Sequence, residues 1–581
     1  MNILGINAYH ADSSACIFIN NELKFAVEEE RLNRIKHWSG LPILSIEACL
    51  QYCEIELSDV DFIIINQNSK KNLKEKIIYS LKNISISKLR KSIEVKNLRN
   101  NISNDIYKKF SKSKKKPKIL YCEHHLAHVY SSFSPSGYKE SCFLSLDGFG
   151  DFVSTMEGFV DNRNIEIRKK IFFPHSLGIL YQAVTQFLGF DNYGDEYKVM
   201  GLASYGTPKE VTRIQKLIKY NYDGDFELNL DFFTHHTSKF KYSLNNKSPF
   251  FSKIYSENII EVLGCPRLKN QHISSYQKDL AASLQKVYEE IFFLKLNSIY
   301  KKYNNQNLVL SGGCIHNSVA NGKITNNTSF KNIYIPPAPG DAGGAIGSVF
   351  YLLNKHNKTY PINQSYLGNC YSNSFIESCI KQNQLFIENN NCKVTFLQNF
   401  KSVCDYVSLS LTRAKIIGWF QGRMEWGPRA LGNRSILGDP RNIDFKDLIN
   451  KKIKKREDFR PFAPSILNEY VNDWLEVKNI FDPYMSGVYM VKQDKKHLIP
   501  AVTHFDGSAR AQTVTRDLNK KYYELIESFF NLTGIPMLLN TSFNENEPIV
   551  NTPQEAIDCF LRTKMDILVI ENWIIERNSN D

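Results

Sequence analysis

Short apolar runs separated by polar corners open the chain and predict a meander of strands. The runs cover residues 3–6, 15–19 and 22–27, with a polar loop at 10–14. A similar pattern recurs at residues 142–146, 152–159 and 164–170, with Asp147-Gly148 at the corner. Because this strand-loop-strand-turn-strand unit occurs twice, we expect a duplicated fold.

Helical spacing and a polar break outline the rest of the chain. Apolar residues recur with a helical period over 177–188 and 273–303, which predicts two helices. Residues 354–364 are polar, contain proline and show no apolar period, so we expect a linker there. The resulting domains are residues 1–355 and 365–581.

Strands alternate with helices throughout, which predicts an α/β (α+β) protein. The duplicated N-terminal pattern has the form of the ribonuclease-H-like architecture of actin-like ATPases, in which nucleotide lies between two halves. This analogy concerns the fold and implies no particular reaction.

Two glycine groups follow predicted strands and are candidate nucleotide contacts. Gly312 and Gly313 end a strand predicted over 307–313, and Gly340 and Gly343 precede a helix predicted over 342–352. Glycines at strand ends let the backbone approach a nucleotide closely. The N-terminus of the following helix can face a phosphate group.

Composition places the chain among globular proteins. The 581 residues have no basic leader or long apolar run, which predicts a cytoplasmic protein without a membrane span. The twelve cysteines contain no CxxC motif, which favours reduced thiols. Residues 70–118 hold 17 Lys or Arg against three acidic residues, so they account for the net charge of +13. We interpret this segment as a solvated surface and do not expect nucleic-acid binding.

A histidine cluster predicts a metal site. His124 and His128 stand four residues apart, so on a helix both imidazoles would project from one face. Asp147 follows a predicted strand, and Asp341 lies in a second glycine-rich turn. Two imidazoles and two carboxylates suit iron, manganese or zinc. The alternative is a set of buried, hydrogen-bonded polar residues.

Arginine is rare in this chain but concentrated in one stretch of the second half. Six of the 19 arginines fall in the 38 residues from 423 to 460, and another follows at 510. They are Arg423, Arg429, Arg434, Arg441, Arg456, Arg460 and Arg510. A guanidinium can hold two phosphate or carboxylate oxygens at once. With donors such as Asn540 and Ser542 after an apolar strand, the stretch predicts an oxyanion site; ordinary surface ion pairs are the alternative.

With these pieces together, the chain resembles the NodU/TobZ-type O-carbamoyltransferases. The resemblance rests on eleven motifs in family order: residues 10–14, 28–37, 124–128, 147–148, 196–206, 311–313, 341, 423–441, 456–464, 504–512 and 540–548. It implies an N-terminal domain like the tRNA threonylcarbamoyl transferases and a C-terminal domain like the YrdC threonylcarbamoyl-adenylate synthases.

The resemblance also implies an activity in two steps. The C-terminal domain would condense carbamoyl phosphate with ATP and Mg²⁺ to carbamoyl-adenylate. The N-terminal domain would then pass the carbamoyl group to a hydroxyl of a small-molecule acceptor. The phosphates would be held by Arg423, Arg429, Arg456, Arg460, Arg510 and Ser542.

For the transfer step the resemblance implies Fe²⁺ at the histidine site, and an alcohol needs a base to take its proton. Our candidate base is His10, with Asp12 to orient it and Lys36 to neutralise the adenylate phosphate. A loop-ordering hydrogen bond is the alternative role of His10.

Two other functions stay open: a tRNA threonylcarbamoyl-modifying enzyme and an actin-like nucleotide-gated binding module. A homodimer is also open, and the sequence does not identify the acceptor.

Overall fold

The computed structural model describes residues 1–82, 101–110, 115–161, 164–244, 247–354, 365–478 and 480–578. Apart from Asn354, the predicted linker lies outside these residues, as does much of the lysine-rich segment. The chain forms two compact units, Met1–Ile362 and Asn363–Asp581. Within the described residues, the structure contains no helix with the length and apolar character to cross a membrane.

Two five-stranded sheets form the N-terminal unit. The first contains β1 Ile3–Asn7, β2 Ser14–Ile19, β3 Glu22–Glu28, β4 Phe62–Ile65 and β5 Lys118–Tyr121, in the order β3-β2-β1-β4-β5. The second contains β6 Glu140–Gly150, β7 Val153–Asp161, β8 Ile165–Phe172, β9 Asn307–Ser311 and β10 Asn332–Tyr334, in the order β8-β7-β6-β9-β10.

The two sheets have one topology. In each, the first three strands form an antiparallel meander and the last two add parallel to the first strand. The predicted strands therefore occur within a few residues of their expected bounds, and the predicted duplication of the strand unit is confirmed.

The longer helices of this unit are α1 Ile43–Tyr52, α2 Leu73–Lys82, α3 His124–Ser136, α4 Leu177–Phe187, α5 Glu196–Ala203, α6 Ser275–Tyr303 and α7 Gly343–Asn354. Shorter helices are Glu30–Asn33, Val211–Gln215, Ile259–Leu263, Ser318–Asn321 and Ile324–Asn327. Two small hairpins pair Ile218–Tyr220 with Phe226–Leu228 and Tyr242–Ser243 with Phe250–Phe251. The helices predicted over 177–188, 273–303 and 342–352 correspond to α4, α6 and α7.

Helices α3 and α7 pack against each other between the two sheets. Helix α7 lies on the first sheet, against β1 and β4, and α3 lies on the second, against β6 and β9. Their backbones approach closely at Gly347, where an added Cβ would overlap the carbonyl oxygen of Ala127. Only glycine permits this separation, so Gly347 sets the distance between the two helices.

The C-terminal unit contains an eight-stranded mixed sheet. Its strands are β11 Cys392–Phe396, β12 Ile417–Phe420, β13 Arg434–Gly438, β14 Ala463–Leu467, β15 Gln512–Val514, β16 Met537–Ser542, β17 Ile567–Ile570 and β18 Trp573–Arg577. Their order is β11-β18-β17-β12-β13-β16-β14-β15. Helices α8 Asn373–Gln382, α9 Phe400–Thr412, α10 Lys520–Thr533 and α11 Pro553–Arg562 cover it. Shorter elements are the helices Gln384–Asn389, Asp444–Leu448 and Val471–Trp474, the π-helical turn Ile449–Lys454 and the small strands Tyr489–Met490 and Ser508–Ala509.

We predict that Gly347→Ala destabilises the N-terminal unit by about 1–3 kcal/mol, because two helix backbones must separate to admit the methyl group. Glycine to alanine within a helix ordinarily stabilises, so the sign of the change is diagnostic. The measurement is urea unfolding of the full chain. Gly148→Ala is the control, since an added Cβ there meets no atom within 4 Å. Equal stability of the two variants would contradict the packing argument.

Candidate functional site

Helix α3 presents its histidines from a capped N-terminus. The Glu123 side chain accepts a hydrogen bond of 2.8 Å from the Leu126 amide, which satisfies one of the free N–H groups of the first turn. Asp151 accepts a 3.0 Å bond from the amide of His124. His124 and His128 lie one turn apart on a single face and are both buried. The local sequence thus orients both rings in the same direction.

Asp147 lies near the end of β6, at an irregularity in the strand pairing. The register of β6 with β7 shifts between Leu146 and Gly150, which releases Asp147 from regular pairing. The N–H of Gly313 donates a 2.8 Å hydrogen bond to Asp147 Oδ1. Its other oxygen, Oδ2, faces the histidines.

Asp341 comes from the loop before α7. The Asn66 side chain, at the end of β4, contacts the Asp341 carbonyl oxygen at 3.5 Å and donates to Asn7 at the end of β1. The first sheet therefore anchors this loop, and the packing of α7 on α3 brings the carboxylate to the histidines.

The four side chains converge as metal ligands do. The Nε2 atoms of His124 and His128 are 3.0 Å apart, and the nearest oxygens of Asp147 and Asp341 lie 3.3 to 3.9 Å from them. With metal–ligand bonds of about 2.1 Å, neighbouring ligands of a tetrahedral or octahedral ion stand roughly 3.0–3.4 Å apart. Asp341 Oδ1 is buried without a hydrogen-bond donor among the described residues. The donor set and its spacing fit a divalent cation.

The charges of the cluster also suit a cation. Burial and the Asp341 charge oppose ionisation of Asp147, but the histidines outweigh them and lower the pKa of Asp147 to about 2. Burial opposes protonation of His124, yet contacts with both carboxylates raise its pKa well above the usual value. Two carboxylates that stay ionised at neutral pH are competent ligands.

His125 has a structural role. Its Nδ1 lies 2.8 Å from Ser145 Oγ and its Nε2 lies 3.0 Å from the carbonyl oxygen of Val153. Burial, followed by the neighbouring histidines, lowers the pKa of His125 to about 3. His125 is therefore a buried, hydrogen-bonded histidine, and the assignment of His124 and His128 as metal ligands stays a prediction.

His10 lies against the candidate metal ligands. Its ring centroid is 4.7 Å from that of His124, and its Nδ1 is 3.8 Å from Asp341 Oδ2. Asp12, which we expected to orient His10, instead forms a 2.8 Å hydrogen bond with Nδ1 of His37. The side chain of Lys36, next to His37, is exposed, and its carbonyl oxygen accepts a hydrogen bond from Ser248.

The glycines predicted near nucleotide make close contacts within the protein. An added Cβ at Gly312 would overlap the carbonyl oxygen of Leu146, and one at Gly343 would overlap that of Ala338. A Cβ at Gly340 would stand 3.0 Å from His316 Nε2. Gly313 supports Asp147, as described above. Their nucleotide contacts stay a prediction.

Three arginines of the second half hold the fold together. Arg423 donates to the carbonyl oxygens of Leu367 and Gly368. Arg434 is fully buried, donates to four carbonyl oxygens and stacks 3.6 Å above the Phe420 ring. Arg441 forms a two-point ion pair with Asp439. For Arg441 the ion-pair alternative is correct.

Arg429 and Arg510 form a different kind of pair. Burial, followed by the charge of Arg429, lowers the pKa of Arg510 well below its usual value. Arg510 Nε donates to the carbonyl oxygen of Met485 at 2.8 Å. A buried guanidinium whose protonation is opposed by burial and by a neighbouring guanidinium favours binding of an anion.

Arg456 and Arg460 lie beyond the π-helical turn Ile449–Lys454. Arg456 Nε donates to Asn450 Oδ1 at 2.6 Å and its guanidinium stacks on Phe462. Arg460 stands 3.7 Å from Glu457. Both side chains are half-buried.

Lys454 is a residue that the sequence did not single out. Its buried ammonium donates to Ser542 Oγ at 3.2 Å and to Asn544 Oδ1 at 2.5 Å. Asn540 donates to Ser465 Oγ at 3.0 Å. Lys454 belongs to a run of similar lysines, so no sequence signal distinguishes it. Ser542 and Asn540 are thus held in a polar network beside the strand end.

Comparison with known proteins gives the family. The family models for the carbamoyltransferase N-terminus and C-terminus match residues 2–350 and 408–577. The chain is 36% identical to an uncharacterized protein of Synechocystis sp., over 100% of this chain and 97% of that protein. It is also 36% identical to nodulation protein NolNO of Sinorhizobium fredii, over 99% of this chain and 80% of that protein.

Among solved structures, T. kodakarensis HypF is 13% identical with a TM-score of 0.31, covering 61% of this chain and 48% of that chain. This score is too low to establish a shared fold. The family matches cover most of both units, and the chain therefore belongs to the carbamoyltransferase family.

Proposed function

We propose that this protein is an ATP- and carbamoyl-phosphate-dependent O-carbamoyltransferase. The C-terminal unit makes carbamoyl-adenylate, and the N-terminal unit passes the carbamoyl group to a hydroxyl of a small-molecule acceptor, such as a sugar or a secondary metabolite. The observation that carries the proposal is the convergence of His124, His128, Asp147 and Asp341 in a chain whose family transfers carbamoyl groups.

The proposed adenylation site needs cationic side chains, because carbamoyl phosphate and ATP with Mg²⁺ bring several negative charges together. Arg510 is buried, and burial and the charge of Arg429 lower its pKa, so a bound anion would stabilise its charged form. Further hydrogen-bond donors in our proposal are Arg456, Arg460 and Ser542. Arg423 contributes by holding the loop at Leu367 and Gly368.

The proposed transfer site must polarise a carbonyl and accept a proton. A divalent ion held by the two histidines and two aspartates, in our proposal Fe²⁺, would polarise the carbamoyl carbonyl as a Lewis acid. His10 packs over the ring of His124 and so shapes the wall of this site. Lys36 supplies a positive charge on the same loop as His37, suited to the adenylate phosphate.

The same proposal assigns fold families to the units. The repeated sheet order of the N-terminal unit supports a duplicated ribonuclease-H-like fold of the actin-like ATPase superfamily. The C-terminal unit is proposed to be YrdC-like, with support from its eight-stranded mixed sheet.

Labelled pyrophosphate tests the proposed function. The full chain is incubated with ATP, labelled pyrophosphate and either carbamoyl phosphate or threonine plus bicarbonate. We expect exchange of label into ATP with carbamoyl phosphate alone. Exchange with threonine and bicarbonate would instead favour a threonylcarbamoyl enzyme, and no exchange with either donor would refute adenylate formation.

We predict that His128→Ala loses bound iron and lowers carbamoyl transfer by at least about 100-fold, since Lewis-acid stabilisation is worth several kcal/mol. Pyrophosphate exchange should persist, because the residue lies in the other unit. Metal analysis and both assays provide the measurements. His272→Ala, at an exposed position, is the matched control. Equal loss of exchange and transfer would count against two separate sites.

We predict that Arg429→Lys lowers pyrophosphate exchange by about tenfold or more, because a lysine keeps the charge but cannot form two parallel bonds to an anion. The control is Arg516→Lys, at an exposed arginine paired with Glu524 and Glu527. Wild-type exchange in Arg429→Lys would remove this residue from the site.

A further inference from the structure

Asp12 and His37 form a carboxylate–imidazole pair that no proposed step has used. Asp12 Oδ1 lies 2.8 Å from His37 Nδ1, and each side chain is about one-third exposed, at 33%. The His37 amide donates to Glu30 Oε2 at 2.9 Å. Both Asp12 and His37 have positive φ, +52° and +53°. The pair is therefore held at the protein surface by two loops with specific backbone conformations.

The hydrogen bond selects one form of the imidazole. Because an ionised carboxylate can only accept, the proton of His37 lies on Nδ1 and the lone pair of the neutral ring lies on Nε2. Nε2 faces Gly194, where an added Cβ would stand 2.8 Å away and where φ is +85°. Any larger residue at position 194 would obstruct this nitrogen. Glycine at this position therefore leaves room beside the basic nitrogen of a side chain that is one-third exposed.

One loop links the pair to the candidate metal site. Asp12 follows two residues after His10, whose ring is 4.7 Å from that of the ligand His124. On the other side, the Tyr193 ring lies edge-on to His37 at 5.4 Å. Burial, then the charges of Asp12 and Asp341, raise the pKa of Tyr193 well above its usual value. Tyr193 is therefore within electrostatic reach of both Asp12 and the metal ligand Asp341.

We propose that His37, oriented by Asp12, is the base that takes the proton of the acceptor hydroxyl in the transfer step. This inference rests on the proposed carbamoyl transfer. The hydroxyl proton moves to Nε2 of His37, and the oxygen forms a bond to the carbamoyl carbon. The bond from that carbon to the phosphate oxygen breaks, and AMP leaves with the electron pair. The products are the carbamate ester, AMP and protonated His37, which returns its proton to solvent.

His10 is less suited to this role. It is buried, with 6% of its surface exposed, and it packs against the ring of His124 with its Nδ1 toward Asp341. Its position makes it part of the wall around the ligands. His37 has instead the geometry found in hydrolytic triads, where a carboxylate orients the ring and the far nitrogen carries the proton.

The charges around His37 predict the pH dependence. The groups that act on His37 are Asp12 and Glu30, which favour its protonated form, Lys36, which opposes it, and Glu196 and Tyr193 on the adjacent segment. Burial opposes protonation, but Asp12 and then Glu30 outweigh it and raise the pKa of His37 to about 9. The base acts in its neutral form, so transfer should accelerate with pH up to about 9. Removing the Asp12 charge should move this inflection to lower pH.

The kinetic test compares wild type with His37→Gln and Asp12→Asn in the full chain. AMP release from ATP and carbamoyl phosphate is followed against pH, with glycerol as a surrogate alcohol. We expect His37→Gln to lower AMP release at pH 9 by about 100-fold and to remove the inflection. Asp12→Asn should keep an inflection but shift it down by at least about one pH unit. The matched control His272→Gln, at an exposed position, should behave as wild type.

An activity-independent readout accompanies the kinetics. NMR titration of ring-¹³C-labelled histidine, with His37→Gln for assignment, should show His37 titrating near pH 9 and at lower pH in Asp12→Asn. Agreement between the NMR pKa and the kinetic inflection, in wild type and in Asp12→Asn, supports His37 as the base. A wild-type rate in His37→Gln, or an inflection that does not follow Asp12→Asn, would overturn it. Absence of carbamoyl-phosphate-dependent pyrophosphate exchange in wild type would instead refute the proposed function itself.

Discussion

The close approach of α3 and α7 is the constraint on which the N-terminal site depends. Gly347 lets the backbone of α7 meet that of α3 at Ala127, so the loop before α7 delivers Asp341 to the histidines of α3. The third contributor, Asp147, reaches the same point because β6 departs from regular pairing. A candidate metal site built from three elements requires all three to be rigid, and here sheet packing and a helix contact provide that rigidity.

The candidate sites of the two units suit ligands of opposite charge. In the N-terminal unit, two carboxylates and two imidazoles share one small buried volume, which a cation would stabilise. In the C-terminal unit, burial and then the charge of Arg429 lower the pKa of Arg510, and a bound anion would oppose this effect. The chemistry of each cluster thus suits a ligand of a different charge, whereas Arg441 and Asp439 form an ion pair with each other.

Hydrogen-bond partners also separate the candidate metal ligands from structural residues of the same type. His125 is saturated by Ser145 and Val153, whereas His124 and His128 direct their Nε2 atoms at each other and at carboxylates. In the same way, the guanidinium of Arg434 donates its hydrogen bonds to backbone carbonyl oxygens. Asp12, on the loop after β1, bonds to His37, which follows β3. His10 packs on the candidate metal ligands, whereas His37 is partly exposed.

Much of the architecture follows from the sequence alone. Alternating apolar runs located the strands of both sheets, helical periodicity located α4, α6 and α7, and the four-residue spacing of His124 and His128 implied one helical face. These are local properties, because side-chain direction along a strand or helix repeats with a fixed period. The family motifs added the prediction of carbamoyl transfer.

Only the tertiary structure decided which distant residues meet. Neither Asp341 beside His124 nor Asp12 beside His37 can be deduced from spacing, since each contact depends on how separate loops pack. The sequence also could not sort the arginines into those that bond backbone carbonyls and those that face another cation, because all have the same side chain. Lys454 was missed for the same reason, as its burial distinguishes it from the neighbouring lysines only after folding. The sequence determines residue type and the period of apolar positions. The burial of a side chain and its hydrogen-bond or ion-pair partners depend on contacts between segments that are distant along the chain.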